Sequence, residues 1–231
     1  MRHLIVLTAL LALALAARGA EELSPANKLY EQAVVESERA SKLERRGKVQ
    51  PAIDAYELAG RLSEASLAEA ERTGIAPDDR PVEVYFRSAT SYLHAGRLLA
   101  RQRGDEERRE DNLAKATTYL DMVEKIETDR ARRASKPINP EIWRVRNAAG
   151  YACFLRGELA QARLHYGAVL EMNPSYHPAE QAIAEINKLE QQQNELFTPQ
   201  GRTLQKEKTR AALKGMVETL RLVRDIVTLG R

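Results

Sequence analysis

Six residues of this chain recur at one constant offset. Ala40, Leu43, Gly47, Ala52, Tyr56 and Ala59 repeat the spacing of Gly150, Cys153, Gly157, Ala162, Tyr166 and Val169. Steps of three and four residues place side chains on one face of a helix, and glycine is the residue that closes a helix by turning left-handed. Each set therefore predicts two helices joined by a tight turn. Two copies of one such unit constrain the fold strongly. A helical hairpin cannot bury its apolar face alone and becomes stable only when stacked on neighbours.

The remainder of the chain fits an all-α architecture. Of its 231 residues, 43% are hydrophobic and 30% charged, a balance that suits a soluble helical protein and excludes a disordered one. Ala, Leu, Glu and Arg dominate, all good helix formers, and β-branched runs are nearly absent. Ser24-Pro25 reads as an N-cap with a first-turn proline, followed by a stripe through Leu29, Ala33, Glu36/Ser37, Ala40 and Leu43. Gly47 breaks that run, Pro51 sits in the next first turn, and Ala52, Tyr56, Ala59 and Leu62 face one way.

Residues 73–81, Thr-Gly-Ile-Ala-Pro-Asp-Asp-Arg-Pro, form a linker by composition. A helix from about Pro81 carries Tyr85, Ala89, Tyr92 and Leu93 on one face, with Gly96 beyond. The almost wholly charged stretch 101–111 reads as a solvated loop or helix extension. Leu113, Ala116, Leu120, Val123 and Ile126 then mark another amphipathic helix. After the Lys136–Pro140 linker, helices over about Glu141–Arg156 and Leu159–Met172 flank Gly157 and stop at Asn173-Pro174. Pro178 opens a helix with Ala179, Ala182, Ile183, Ile186 and Leu189 on one side. A last helix is expected over Arg202–Leu229. Its apolar face includes Leu213, Met216, Val217 and Leu220, and its polar side is basic.

The segment Trp143–Pro174 resembles a tetratricopeptide repeat (TPR). Gly150 stands at the small crossing position of the first helix, Ala152 and Phe154 follow, and Gly157 is at the turn. Ala162 and Tyr166 match the second helix's small-then-aromatic pair, and Asn173-Pro174 matches the usual ending. Two residues depart from the pattern. Arg146 stands where the family has Trp, and Cys153 replaces its usual Tyr. The resemblance reaches the first hairpin through the six-residue recurrence. It reaches the second through Tyr85, Ala89, Tyr92 and Gly96 only, because Ala116 and Leu120 arrive too late.

The fold it implies is a TPR-like α-solenoid over residues 24–195. About three stacked antiparallel hairpins are closed by a capping helix at Ala179–Leu189 and followed by a C-terminal amphipathic helix at 202–231. Gly150, Gly157, Ala162, Tyr166 and Pro174 are then the repeat-packing residues. Such stacks line a concave groove with their first helices. The resemblance places Arg144, Asn147, Tyr151, Phe154 and Leu155 in that groove, facing a bound protein or peptide; Phe154 and Leu155 read equally well as core. The carboxylate-clamping kind of groove is not expected, since Ser37 and Ser41 occupy the matching places in the first hairpin.

Catalytic and metal signatures are not found in the sequence. His3, His94, His165 and His177 lie in separate elements without ligand spacing, and no Gly-x-Ser-x-Gly occurs. The one cysteine, Cys153, lies mid-helix among apolar neighbours, where a buried small hydrophobe is the expected role. No catalytic residue, cofactor or metal is therefore assigned.

Met1-Arg2-His3 followed by the apolar stretch Leu4–Ala17 reads as a secretory signal peptide spanning residues 1–20, cut after Ala16 or Ala20. It is short for a membrane span. Without Arg2 and Arg18 the remaining charge is close to neutral, so the basic pI is no argument for nucleic acid. Export, together with the Ala/Arg-rich composition of a GC-rich bacterial genome, points to the periplasm. The expected function is a non-enzymatic protein–protein interaction scaffold of the cell envelope. The alternative is a membrane-surface accessory protein that docks through Arg202–Arg231.

Overall fold

A computed structural model describes residues 24–75, 82–102 and 105–196. Seven α-helices account for nearly all of them: α1 (Pro25–Arg45), α2 (Val49–Arg72), α3 (Val82–Arg101), α4 (Glu106–Ala134), α5 (Ile142–Arg156), α6 (Leu159–Met172) and α7 (His177–Leu196). The predicted signal peptide and the amphipathic segment 202–231 lie outside the described residues. No described helix is long and apolar enough to cross a membrane.

Neighbours in sequence are neighbours in space. The hairpins α1–α2, α3–α4 and α5–α6 each pack internally and against the next, and α7 closes the row on α6. Beyond these consecutive contacts, α1 touches α3 and α3 touches α5. First helices thus line up along one side of the stack. The expected all-α fold of stacked helical hairpins is what the structure contains.

The repeated set explains the first and third hairpins. Gly47 and Gly157 adopt left-handed φ values of 71° and 82°, which only glycine takes without strain. Each closes its helix by the same two bonds. Gly47 N–H donates to Glu44 O (2.9 Å) and Lys48 N–H to Leu43 O (3.0 Å); Gly157 N–H donates to Phe154 O (3.0 Å) and Glu158 N–H to Cys153 O (2.9 Å). This is the Schellman arrangement. The next helix starts two residues on in both cases. Ala40, Ala52, Ala59, Ala162 and Val169 are completely buried, and Tyr56 and Tyr166 nearly so.

Close approach is the reason for the small residues. A Cβ at Gly150 would lie 3.2 Å from His165 Cβ and from the Tyr166 ring, so α5 and α6 meet at van der Waals distance. Between hairpins, Gly60 of α2 lies directly under the Tyr92 ring of α3, where a Cβ would come within 2.6–2.8 Å.

The second hairpin departs from the expected register. Gly96 does not end a helix. It is buried inside α3, where Leu113 of α4 packs on it, and α3 runs on to Arg101. The charged stretch extends both helices rather than forming a loop throughout. Asp105 caps α4, its carboxylate accepting from Arg108 N–H at 3.2 Å, and Glu106 and Glu107 fill the first turn, where carboxylates favour the helix dipole.

Candidate functional site

Of the five residues expected to face a ligand in the groove, four are buried: Asn147, Tyr151, Phe154 and Leu155 are each exposed by 4% or less. Phe154 and Leu155 belong to the continuous apolar core that runs from Leu67 to Leu189. In this chain these four positions are interior. Arg144 alone keeps a substantially exposed side chain, 2.6 Å from the Glu141 carboxylate and 5.5 Å over the Trp143 ring. Trp143 in turn meets Tyr176 with ring centroids 4.8 Å apart, tying the start of α5 to the α6–α7 connection. The packing residues Gly150, Ala162 and Tyr166 are buried at the α5–α6 crossing, while Gly157 and Pro174 lie exposed in the two turns.

α1 is open over most of its surface, with only Ala26, Ala33 and Ala40 buried, and α3 keeps one open stripe. Glu83, Arg87, Thr90, His94 and Arg101 recur at helical spacing and are exposed or half-buried; Val82, Phe86 and Ala100 are half-buried too, and the other residues of α3 up to Leu99 are buried.

Beneath it lies a polar cluster that the sequence did not single out. Arg97 of α3 is only 8% exposed. Its Nη2 donates to both carboxylate oxygens of Glu44 on α1, at 2.7 and 2.8 Å. Tyr56 of α2 donates its hydroxyl to the same carboxylate at 3.2 Å and stacks on the His94 ring, centroids 4.8 Å apart and planes 9° from parallel. Arg97 Nη2 also lies 3.2 Å from His94 Nδ1.

The charge states follow from these contacts. Burial, reinforced by the Arg97 guanidinium, pushes His94 down to about 3, against the pull of Glu44. Burial alone would raise Glu44, but Arg97, His94 and Tyr56 together hold its carboxyl below the usual range. The ring is neutral and the carboxylate ionised at neutral pH.

A second set of bonds runs along α2 and α4. Arg108 Nε donates to Glu57 Oε1 at 2.7 Å, and its Nη2 donates to Glu57 Oε2 at 2.8 Å and Asp54 Oδ1 at 2.7 Å. Asn112 donates to Glu57 at 2.8 Å, and Tyr119 donates to Glu64 at 3.1 Å. The partners stand 51 to 55 residues apart, as do Glu44 and Arg97. A nearly constant separation means that corresponding helices of the two hairpins run parallel. These pairs are the one signal in the sequence that could have revealed the cluster.

The next junction has the same polarity. Arg146 and Arg156 of α5 donate to Glu124 and Glu110 of α4. At the closing helix the sense reverses, with Arg163 of α6 donating to Asn187 and Glu190 of α7.

Burial, with Glu158 nearby, pushes the Cys153 thiol up to about 11, so it is protonated at neutral pH. Among the described residues no three His, Cys, Asp or Glu side chains are grouped to hold a metal ion. A shallow depression on α4, lined by Asp121, Glu124, Lys125, Thr128, Asp129 and Arg132, is open to solvent. His165 of α6 lies within electrostatic reach of Asp121 and Glu124, and burial lowers its pKa.

Fold and site together define an all-α protein of consecutively packed helical hairpins with polar junctions between them. No protein-family model matches the chain, and no curated protein matches it.

Proposed function

We propose that this protein is a non-enzymatic interaction scaffold of the cell envelope. In this reading it is an exported, TPR-like helical repeat that binds another protein or a peptide along its row of first helices. One observation carries the reading: α1 adjoins α3 and α3 adjoins α5, and α3 keeps a stripe of polar residues open. A row of parallel helices offers an extended partner a continuous face, which is how solenoids use their curvature. The ligand-facing residues assigned here differ from the five expected from the sequence. They are Glu83, Arg87, Thr90 and Arg101 on α3, with Arg144 on α5.

Affinity capture with the full chain from an envelope extract tests the assignment. A partner held by the wild type and lost by the double variant Arg87→Glu/Arg144→Glu, with helical circular dichroism unchanged, is the expected result. Equal retention by both proteins removes this face from consideration. Failure to recover any protein reproducibly removes the scaffold reading.

A further inference from the structure

We propose that the junction between the first and second hairpins is an acid-operated hinge: protonation of His94 and of the carboxylates of α1 and α2 releases that hairpin from α3–α4 while the α5–α6 hairpin stays packed.

Four side chains of the second hairpin bond across this junction in one direction. Arg97, Arg108, Asn112 and Tyr119 of the second hairpin donate, and Glu44, Asp54, Glu57 and Glu64 of the first accept. Each acceptor is a carboxylate, and a protonated carboxyl loses the charge that makes such bonds strong. Removing that charge also leaves Arg97, which is nearly buried, without its counter-ion, the costly way to break a buried pair.

His94 adds a second acid-sensitive element. A guanidinium has only donors, so the contact between Arg97 Nη2 and His94 Nδ1 requires a lone pair on that nitrogen. A proton there would face the Arg97 N–H, and either the ring or the guanidinium must move. The ring is stacked on Tyr56, whose hydroxyl serves Glu44, so displacing it disturbs all three helices. The groups facing the cluster are Glu44 from α1, Tyr56 from α2, Arg97 from α3 and Tyr151 from α5, the last within electrostatic reach of Arg97, Arg101 and Glu44. Glu57 faces Arg108 and Asn112 of α4 and Arg61 of its own helix at 3.8 Å.

The apolar contacts of this junction are largely separate from the main core. The first hairpin meets α3 mainly through a separate, alanine-rich cluster of Ala40, Ala52, Ile53, Ala55 and Tyr56 against Ala95, Leu98 and Leu99. To the large core that joins α3 through α7 it contributes Leu67 and part of Tyr30. Arg97 is also more enclosed than the cations of the next junction, Arg146 and Arg156, so losing its counter-ion costs more.

The direction of the pH effect follows. His94 is depressed in the docked state from 6.5; Glu44 and Glu57 are held below 4.5. Groups depressed on docking favour the docked state above their free values, and that preference is lost as pH falls through the interval. The window opens near 6.5 and widens below 4.5.

Hydrogen–deuterium exchange of the full chain at pH 7 and pH 4, corrected for intrinsic exchange rates, reads the hinge directly. Protection in α1 and α2 should fall by about tenfold or more, one decade per unit of pKa difference, while α5 and α6 keep theirs. The variant Glu44→Gln/Glu57→Gln should show the same selective loss at pH 7; if it fails to fold, the wild-type comparison alone decides. Unchanged protection of α1–α2 at pH 4, or loss shared equally by α5–α6, overturns the proposal.

Discussion

At the scale of single residues, the absence of a side chain does different things at different glycines. Gly60 lies against the Tyr92 ring, with Cβ space of only 2.6–2.8 Å, and Tyr92 is itself buried and stacked near Tyr119. Gly60→Ala must displace the ring, so it should destabilise the fold by about 1–3 kcal/mol, the usual cost of overpacking. Gly167 is also helical but has nothing within 4 Å of a Cβ. Gly167→Ala should stabilise by about 0.5–1 kcal/mol, because alanine loses less backbone entropy in a helix. Urea unfolding of both variants checks the opposite signs. The sequence marked Gly150 because it belongs to a recurring set. It did not mark Gly60, whose partner lies in another hairpin and follows no local spacing.

At the scale of the element, the turns decide what can be read. Gly47 and Gly157 sit in the same closure at the same distance from the following helix, so the first and third hairpins were legible from periodicity and one glycine each. The second hairpin was not. Gly96 looks like the same turn, yet it accommodates Leu113 at a helix crossing, and α3 continues past it to Arg101. Charged residues at 101–111 read as solvated in either case, because an exposed helix end and an exposed loop have the same composition. Helix propensity and the Asp105 cap settled the matter there, not hydrophobic pattern. The groove assignment failed for a related reason. A helix face named by resemblance says nothing about how closely the neighbouring helix covers it, and α5 has 11 buried residues among its 15. The turn argument yields a test. Gly157→Ala and Gly47→Ala each force a Cβ into the left-handed region and should cost about 1–2 kcal/mol, whereas neither makes a steric clash. Thermal melts should show similar losses for the two.

At the scale of the whole molecule, stability is distributed along the row. Each hairpin leans on its neighbours, so damage at one end should be felt first at that end. Ile186 of α7 is fully buried within the large core. Ile186→Asp places an unpaired charge there and should cost about 3 kcal/mol or more. Exchange protection should fall in α6 before it falls in α1–α2; simultaneous loss along the chain would mean a single cooperative block. The polar junctions belong to this scale too. They escaped the sequence reading because charged residues are common throughout the chain and the pairs are separated by between 22 and 55 positions, so no single acid or base stands out.

The direction of those junctions fixes an order of assembly. Acid edges look toward the C-terminus and base edges toward the N-terminus at the two hairpin-to-hairpin seams, then α7 presents its acid edge backward. A duplicated or transplanted hairpin would fit between existing ones only if it carried both edges the right way round.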